Sequence, residues 1–255
     1  MIELHRHGVT AAIRLARAEK KNAFTTAMWR ALGGFCAELA APGEVCRVLR
    51  LEGQPGAFCA GADISEMTAL VTDAKALADN NRIVLHAQSA LELLPLPTMA
   101  VIDGPCFGGG FGLAAACDFR LASTRSVFAV TPATLGLLYS IEDTRRLVRL
   151  VGDARARRLL LRGERLDADT ALAWGAVDAV VEPDALPALA QAWSDALAAG
   201  SRTSMAGIKA TLALLAGHTT QTEAEVRAAF DAAFTGADFA EGAAAFVARR
   251  RPSFD

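Results

Sequence analysis

The chain has 255 residues and a mass of 26.7 kDa, enough for one domain of about 200 to 250 residues with an appendage, or for two small domains. Hydrophobic residues make up 53% and charged residues 21%, so a large core can be buried and wholesale disorder is excluded. Lys and Arg number 26 against 28 Asp and Glu, a net charge of −2 that argues against a broad nucleic-acid footprint; the four His and the single Tyr139 leave few places for acid–base chemistry.

The N-terminal stretch MIELHRHGVTAAIRL alternates like a strand and has no apolar signal core. Ala11, Ile13 and Leu15 carry that alternation. Thr25 is placed to cap a helix with Met28, Leu32, Phe35 and Leu39 on one face, ending near Pro42-Gly43. A second strand is expected over Val45–Leu51, leading into the loop GQPGAFCAGAD, and a helix over 72–94 ending at Pro95 and Pro97. A buried strand, Met99–Ile102, then turns into the glycine cluster 108–112. The stretch Met99–Cys117 is interrupted by Asp103, Pro105 and five glycines, so it is a poor membrane span. Strand and helix alternate through the first two thirds, which suggests parallel β-α units with ligand loops at strand ends. From Asp184 the pattern is helical: Leu186, Leu189, Trp193 and Leu197 form one face, and Val226, Phe230 and Phe234 another. The chain therefore reads as an α/β body, 1–183, and a helical tail, 184–255, too thin for a core of its own. The five cysteines, an odd number without a CxxC pair, fit reduced thiols in a cytoplasmic protein better than disulfides or zinc.

Two glycine-rich loops follow strands, Phe58–Ile64 and Asp103–Gly112. Glycines let the backbone come close to a ligand and leave N–H groups pointing outward. Two such groups converging on a carbonyl oxygen make an oxyanion hole. The second loop is expected to open a helix over 110–116 whose dipole would reinforce negative charge. Tight turns and helix packing would also account for these glycines. GFGLAA at 110–115 matches the loose dinucleotide fingerprint, but it is not at the first β-α turn and lacks the acidic residue that should follow.

FCAGADISEM together with AVIDGPCFGGGFGLAAACDFRLAS resembles the enoyl-CoA hydratase/isomerase (crotonase) superfamily, and RAEKKNA, DADTALAWGAVDAVV and EGAAAFVARRRPSF extend the similarity along the chain. The resemblance implies an α/β fold, the crotonase (ClpP-like) spiral of β-β-α units, with a helical C-terminal trimerisation region and a homotrimer or homohexamer. It implies an acyl-CoA substrate, coenzyme A entering as part of that substrate, with no separate cofactor, metal, nucleic acid or membrane. The oxyanion hole would fall on the N–H groups of Ala62 and Gly109. Coenzyme A contacts would include Lys20 or Lys21 near the phosphates, and Ala60, Asp63 and Ile64 near the adenine. Phe230 and Arg249 would come from a neighbouring subunit.

The sequence departs from the hydratases of that family at both of their glutamates. The first position is Gly112, and the second is Pro132 or, in an alignment slid by one, Ala133. Where hydratases carry a Pro-Gly-Ala-Gly-Gly stretch, this chain has LGLLYSIEDTRR. TPxxLGxxY is similar instead to the methylmalonyl-CoA decarboxylase branch, in which a tyrosine lines the acyl pocket; Tyr139 would take that role. The match is partial, because that branch's histidine falls on Ala62 and its glutamate on Gly112. Decarboxylation or double-bond isomerisation, assisted by Tyr139 or Glu142, is thus expected in preference to hydration, which needs an acid and a base beside one water. The alternative is a non-catalytic acyl-CoA-binding protein. Ser140 and Asp143 also read as the two ends of a capping box, Glu66 as a solvated charge at a helix start, and His86 as a packed or surface histidine. No nucleophile elbow with a Ser/His/Asp set and no cluster at metal-ligand spacing is visible.

Overall fold

A hairpin opens the chain: β1 (Ile2–His7) and β2 (Thr10–Leu15) pair antiparallel, with Gly8 at φ +59° in the turn. The computed structural model, which describes residues 1–254, continues from β2 into parallel strands β3 (Val48–Glu52), β4 (Thr98–Ile102), β6 (Phe119–Ser123) and β9 (Ala179–Val181). They form a six-stranded sheet in the order β1-β2-β3-β4-β6-β9. A second sheet joins β5 (Pro105–Phe107), β7 (Val127–Ala129) and β8 (Arg165–Asp167), in the order β5-β7-β8.

All five residues of β4 are buried, as a parallel strand covered on both faces requires. Period-2 alternation sorts them. Ala100 and Ile102 join the main core with Leu32, Leu39 and Cys36 of α1 (Thr26–Leu39) and Leu91 of α3 (Ala74–Glu92). Met99 and Val101 face the opposite side, against Leu186 and Ala190 of α9 (Leu186–Ala198). α9, the first helix past the expected boundary at 183/184, thus packs directly on the sheet of the body. Phe119 of β6 also meets Trp193 of α9 edge to face, with centroids 5.3 Å apart.

Other boundaries shift for local reasons. Thr25 caps α1 as expected, its hydroxyl accepting from Met28 N–H at 3.3 Å. β3 begins at Val48 and not Val45, because the Glu44 carboxylate accepts from Val45 and Cys46 N–H, each at 2.9 Å, and holds them in a turn. The helix expected over 72–94 is α3, capped by Asp73, and a separate short helix that the pattern did not show, α2 (Ile64–Leu70), capped by Asp63, precedes it. Their junction leaves α2 beside the first glycine loop. The second glycine loop contains β5 and leads into α4 (Gly109–Ala115), one residue ahead of expectation. Short α5 (Pro132–Leu135), then α6 (Ile141–Val151), α7 (Asp153–Arg162) and α8 (Ala168–Trp174) complete the body.

The tail proper is α10 (Arg202–Leu215), α11 (Glu223–Ala233) and α12 (Ala237–Val247). Polar anchors tie it to the body: Lys209 Nζ donates to Leu96 O at 3.0 Å and Asp118 Oδ2 at 2.5 Å, and His218 Nε2 lies 3.1 Å from Glu92 Oε1. Phe230, Phe234 and Phe239 stack edge to face in a row on its exposed surface, and Phe246 is 85% exposed.

Candidate active site

The two glycine loops run side by side, stitched as a short parallel bridge between Cys59 and Cys106. Cys59 N–H donates to Pro105 O and Phe107 N–H to Cys59 O, both at 2.9 Å. Glycine is demanded at the points of closest approach. A Cβ on Gly110 would lie 2.5 Å from Cys59 O, and one on Gly61, which sits at φ +101°, would lie 2.9 Å from Phe107 O. Neither Ala62 N–H nor Gly109 N–H has an acceptor among the described residues. The two amides are neighbours, since a Cβ on Gly109 would be 3.8 Å from Ala62 N. Two unpaired donors on adjoining backbone can hold one oxygen that gains negative charge. The thiols at this bridge are not nucleophiles: burial pushes Cys59 up to about 12 and Cys106 well above its ordinary value.

A buried asparagine that the motif reading passed over fixes the first loop. Asn22, at φ +56°, donates to Ala57 O at 2.7 Å and Phe58 O at 3.1 Å, and accepts from Arg17 N–H at 2.9 Å. The preceding Lys21 carbonyl accepts from Ala60 N–H at 2.9 Å. Exposed Lys20 and Lys21 thus lie beside the loop, next to Ala60 and to Ile64, which is 53% exposed. The Asp63 carboxylate caps α2 through Ser65 N–H at 2.9 Å and pairs with Arg17 Nη1 at 2.6 Å, which holds its pKa below the usual range. Glu66 is likewise not a free surface charge, because it accepts from Thr26 N–H at 2.7 Å and ties α2 to the start of α1.

The opposite wall is the segment leading into α6. Tyr139 is half-buried and its hydroxyl donates to Gly108 O at 3.2 Å, which places its ring against the second loop. Burial and the nearby Asp143 charge push its phenol well above the ordinary value, so it stays protonated. Ser140 does cap α6, accepting from Asp143 N–H at 3.0 Å. Only half of the capping box forms, however, because the Asp143 carboxylate turns inward to Arg146 Nη1 at 2.9 Å and Gln88 Nε2 at 3.4 Å. The cap sets the phase of the helix, so Asp143, Arg146, Leu147 and Val151 form its buried face. Glu142, one position away, is turned about 100° off that face and makes no hydrogen bond or ion pair among the described residues. The carboxylate that this segment presents to the interior is Asp143, not the Glu142 expected from sequence.

Behind Asp143 lies a chain of buried charge. Arg146, fully buried, donates through Nε and Nη2 to Glu92 Oε2 at 2.8 and 2.6 Å. Arg145, Arg149 and His218 reach the same carboxylate at 3.1 to 3.3 Å. Burial alone would raise Glu92, but the surrounding cations outweigh it and hold its pKa down; for Asp143 burial prevails over Arg146 and the pKa is raised. Phe230 and Arg249 stand apart on the tail, exposed, and no polar bond or ring contact joins them to the loops among the described residues. His86 lines a groove of about 650 Å³ between α1 and α3, beside Trp29. Among the described residues no group of His, Cys, Asp and Glu could hold a metal, and no helix is long and apolar enough to cross a membrane.

The family model for enoyl-CoA hydratase/isomerase matches residues 5–255. The chain belongs to the enoyl-CoA hydratase/isomerase family. It is 34% identical over 254 residues to the probable enoyl-CoA hydratase echA6 of Mycobacterium leprae, covering 97% of this chain and 98% of that one. It is 33% identical over 185 residues to the short-chain-enoyl-CoA hydratase of Clostridium acetobutylicum, covering 72% of this chain and 69% of that one. Among solved structures it is similar to an enoyl-CoA hydratase/carnithine racemase from Magnetospirillum magneticum, with a TM-score of 0.92, 34% identity, and coverage of 100% of this chain and 95% of the other. The crotonase fold expected from the glycine loops is therefore the fold observed. For this crotonase-family chain, the paired loops supply backbone donors, and Tyr139 and Asp143 come from the segment that leads into α6 and from its first turn.

Proposed function

We propose that the chain binds an acyl-CoA thioester, holds its carbonyl oxygen on Ala62 and Gly109 N–H, and stabilises an enolate there. Coenzyme A is part of the substrate, and no separate cofactor is required. The observation that carries this reading is the pair of unpaired amides on two loops that glycine brings into contact. Lys20, Lys21, Ala60 and Ile64, clustered beside the first loop, would hold the coenzyme A portion. A second copy of the chain would cover the aromatic row of α11 and α12 and contribute Phe230 and Arg249, which supports a homotrimer or homohexamer.

Within that chemistry, decarboxylation or double-bond isomerisation is preferred to hydration. Hydration needs an acid and a base around one water, and the α6 wall offers a single buried carboxylate and a phenol that stays protonated. The relatives' names say hydratase, so the experiment sets the reactions side by side. Turnover of a 3-enoyl thioester, a malonyl-type thioester and crotonyl-CoA is measured with calorimetric binding of each. We expect turnover of one of the first two to exceed hydration. Hydration as the fastest reaction would overturn the preference, and binding without any turnover would favour the non-catalytic alternative.

A further inference from the structure

A Cβ on Gly112 would lie 2.6 Å from Oδ1 of Asp143 and 2.8 Å from its Cγ and Oδ2. The carboxylate of α6 therefore fills the space in which any side chain at position 112 would begin. A glutamate on α4 at this place and an inward aspartate on α6 exclude each other. We propose that Asp143 is the group that moves the substrate's proton, a carboxylate delivered from the first turn of α6 to the face of α4 where Gly112 provides none. The inference rests on the acyl-CoA reading above.

The position suits the task. Gly112 follows Gly109 by three residues, about one turn or roughly 5 Å along α4. An oxygen held on Gly109 N–H would thus place the neighbouring carbons of the thioester over this face. Arg146 fixes Oδ1 at 2.9 Å, whereas Oδ2 has only the long 3.4 Å contact from Gln88 and keeps accepting capacity. Tyr139 closes the other side but cannot act as a base, because its phenol stays protonated. Burial makes Asp143 easier to protonate than an exposed aspartate, as a group that must both take and return a proton should be.

The steps balance with this one carboxylate. With a 3-enoyl thioester, Oδ2 takes the α-hydrogen, and the C–H pair flows into a dienolate whose charge rests on the oxygen held by the two amides. The same O–H returns the proton to the γ-carbon as the pair flows back, and the carboxylate is restored. With a malonyl-type thioester, CO₂ leaves its bonding pair behind as the enolate; the carboxyl form of Asp143 protonates the α-carbon and regains a proton from water.

Exchange of the α-hydrogens of butyryl-CoA and octanoyl-CoA in D₂O, followed by mass spectrometry, reads the proton transfer without requiring any complete reaction. Wild-type protein should exchange them, and Asp143→Asn should slow exchange by about 10²–10⁴-fold with calorimetric affinity unchanged. If that variant fails to fold, Gly112→Ala carries the test, since its Cβ displaces the carboxylate without removing it and should also slow exchange. Exchange at the wild-type rate in a folded variant that still binds overturns the proposal. Wild-type protein that binds but never exchanges overturns it too. Failure of the wild type to bind either thioester would instead sink the acyl-CoA reading, and the proposal with it.

Discussion

The two walls of the site are built on opposite principles. The loop wall, residues 59–64 and 105–112, offers unpaired main-chain donors, set by Gly61 and Gly110, where any larger residue would strike the facing backbone. The α6 wall offers side chains, and its geometry depends on Asp143, Arg146 and Glu92 neutralising one another out of water. Backbone donors need no partner to stay charged or neutral, so the loop wall resists changes in solution conditions. Buried charges are sensitive to the loss of any partner, because the remaining member keeps its desolvation cost. Under the proposed function, polarisation of the carbonyl falls to the rigid wall and proton movement to the tunable one.

The sharpest way to break this contrast is to remove the cation that the α6 wall shares. Arg146→Met leaves Asp143 without its ion-pair partner and Glu92 without its two shortest bonds. It should cost about 3–5 kcal/mol in denaturant unfolding. A loss well under about 1 kcal/mol would mean that Arg145, Arg149 and His218 already neutralise the cluster and that the wall is not held by Arg146. The corresponding change on the loop wall is Gly110→Ala. Its Cβ would meet Cys59 O at 2.5 Å and Cys59 Cβ at 2.8 Å, so the loops must part. We expect a smaller stability loss, about 1–3 kcal/mol, with turnover reduced by as much as the removal of one oxyanion donor, about 10²–10³-fold. An alanine variant with full activity would show that the convergence of the two amides is not what the glycines protect.

How well each wall could be read from sequence follows the same divide. The glycine loops are local patterns, and the family resemblance that FCAGAD and FGGGFG carry implied Ala62 and Gly109 as the donor pair, two amides that are neighbours in the fold. The α6 wall depends on contacts between residues 54 and 55 positions apart, Arg146 with Glu92 and Asp143 with Gln88. No local pattern encodes such a pairing, which is why Glu142 was chosen from sequence and Asp143 was read as a capping residue. Ser140 held the missing information: as the cap it fixes where the helix starts, and the helical phase then sends residue 143 inward and 142 away. The sheet was legible wherever apolar alternation was continuous. The start of β3 was not, because the Glu44 carboxylate decides it by accepting from the next two N–H groups and holding them in a turn.

The smallest expected effect concerns pH, and it separates the walls between about pH 5 and 8. The loop wall has no group that titrates in this range, whereas the α6 cluster includes His218. Its Nε2 faces Glu92, while Nδ1 is buried and makes no hydrogen bond among the described residues. Burial accordingly lowers the His218 pKa below its ordinary 6.5, despite the attraction of Glu92. A depressed folded-state pKa means that the unfolded chain takes up the proton first. The stabilising contribution is therefore present above pH 6.5 and is lost as pH falls through the folded value. Glu92, held below its ordinary 4.5, adds a second loss of the same sign at more acid pH. Thermal unfolding followed from pH 8 to well below pH 4.5 should show two successive declines on acidification, and His218→Asn should flatten the first while leaving the second. If the first decline survives the substitution unchanged, the pH sensitivity lies outside the α6 cluster, and the contrast between a titrating wall and a silent one fails.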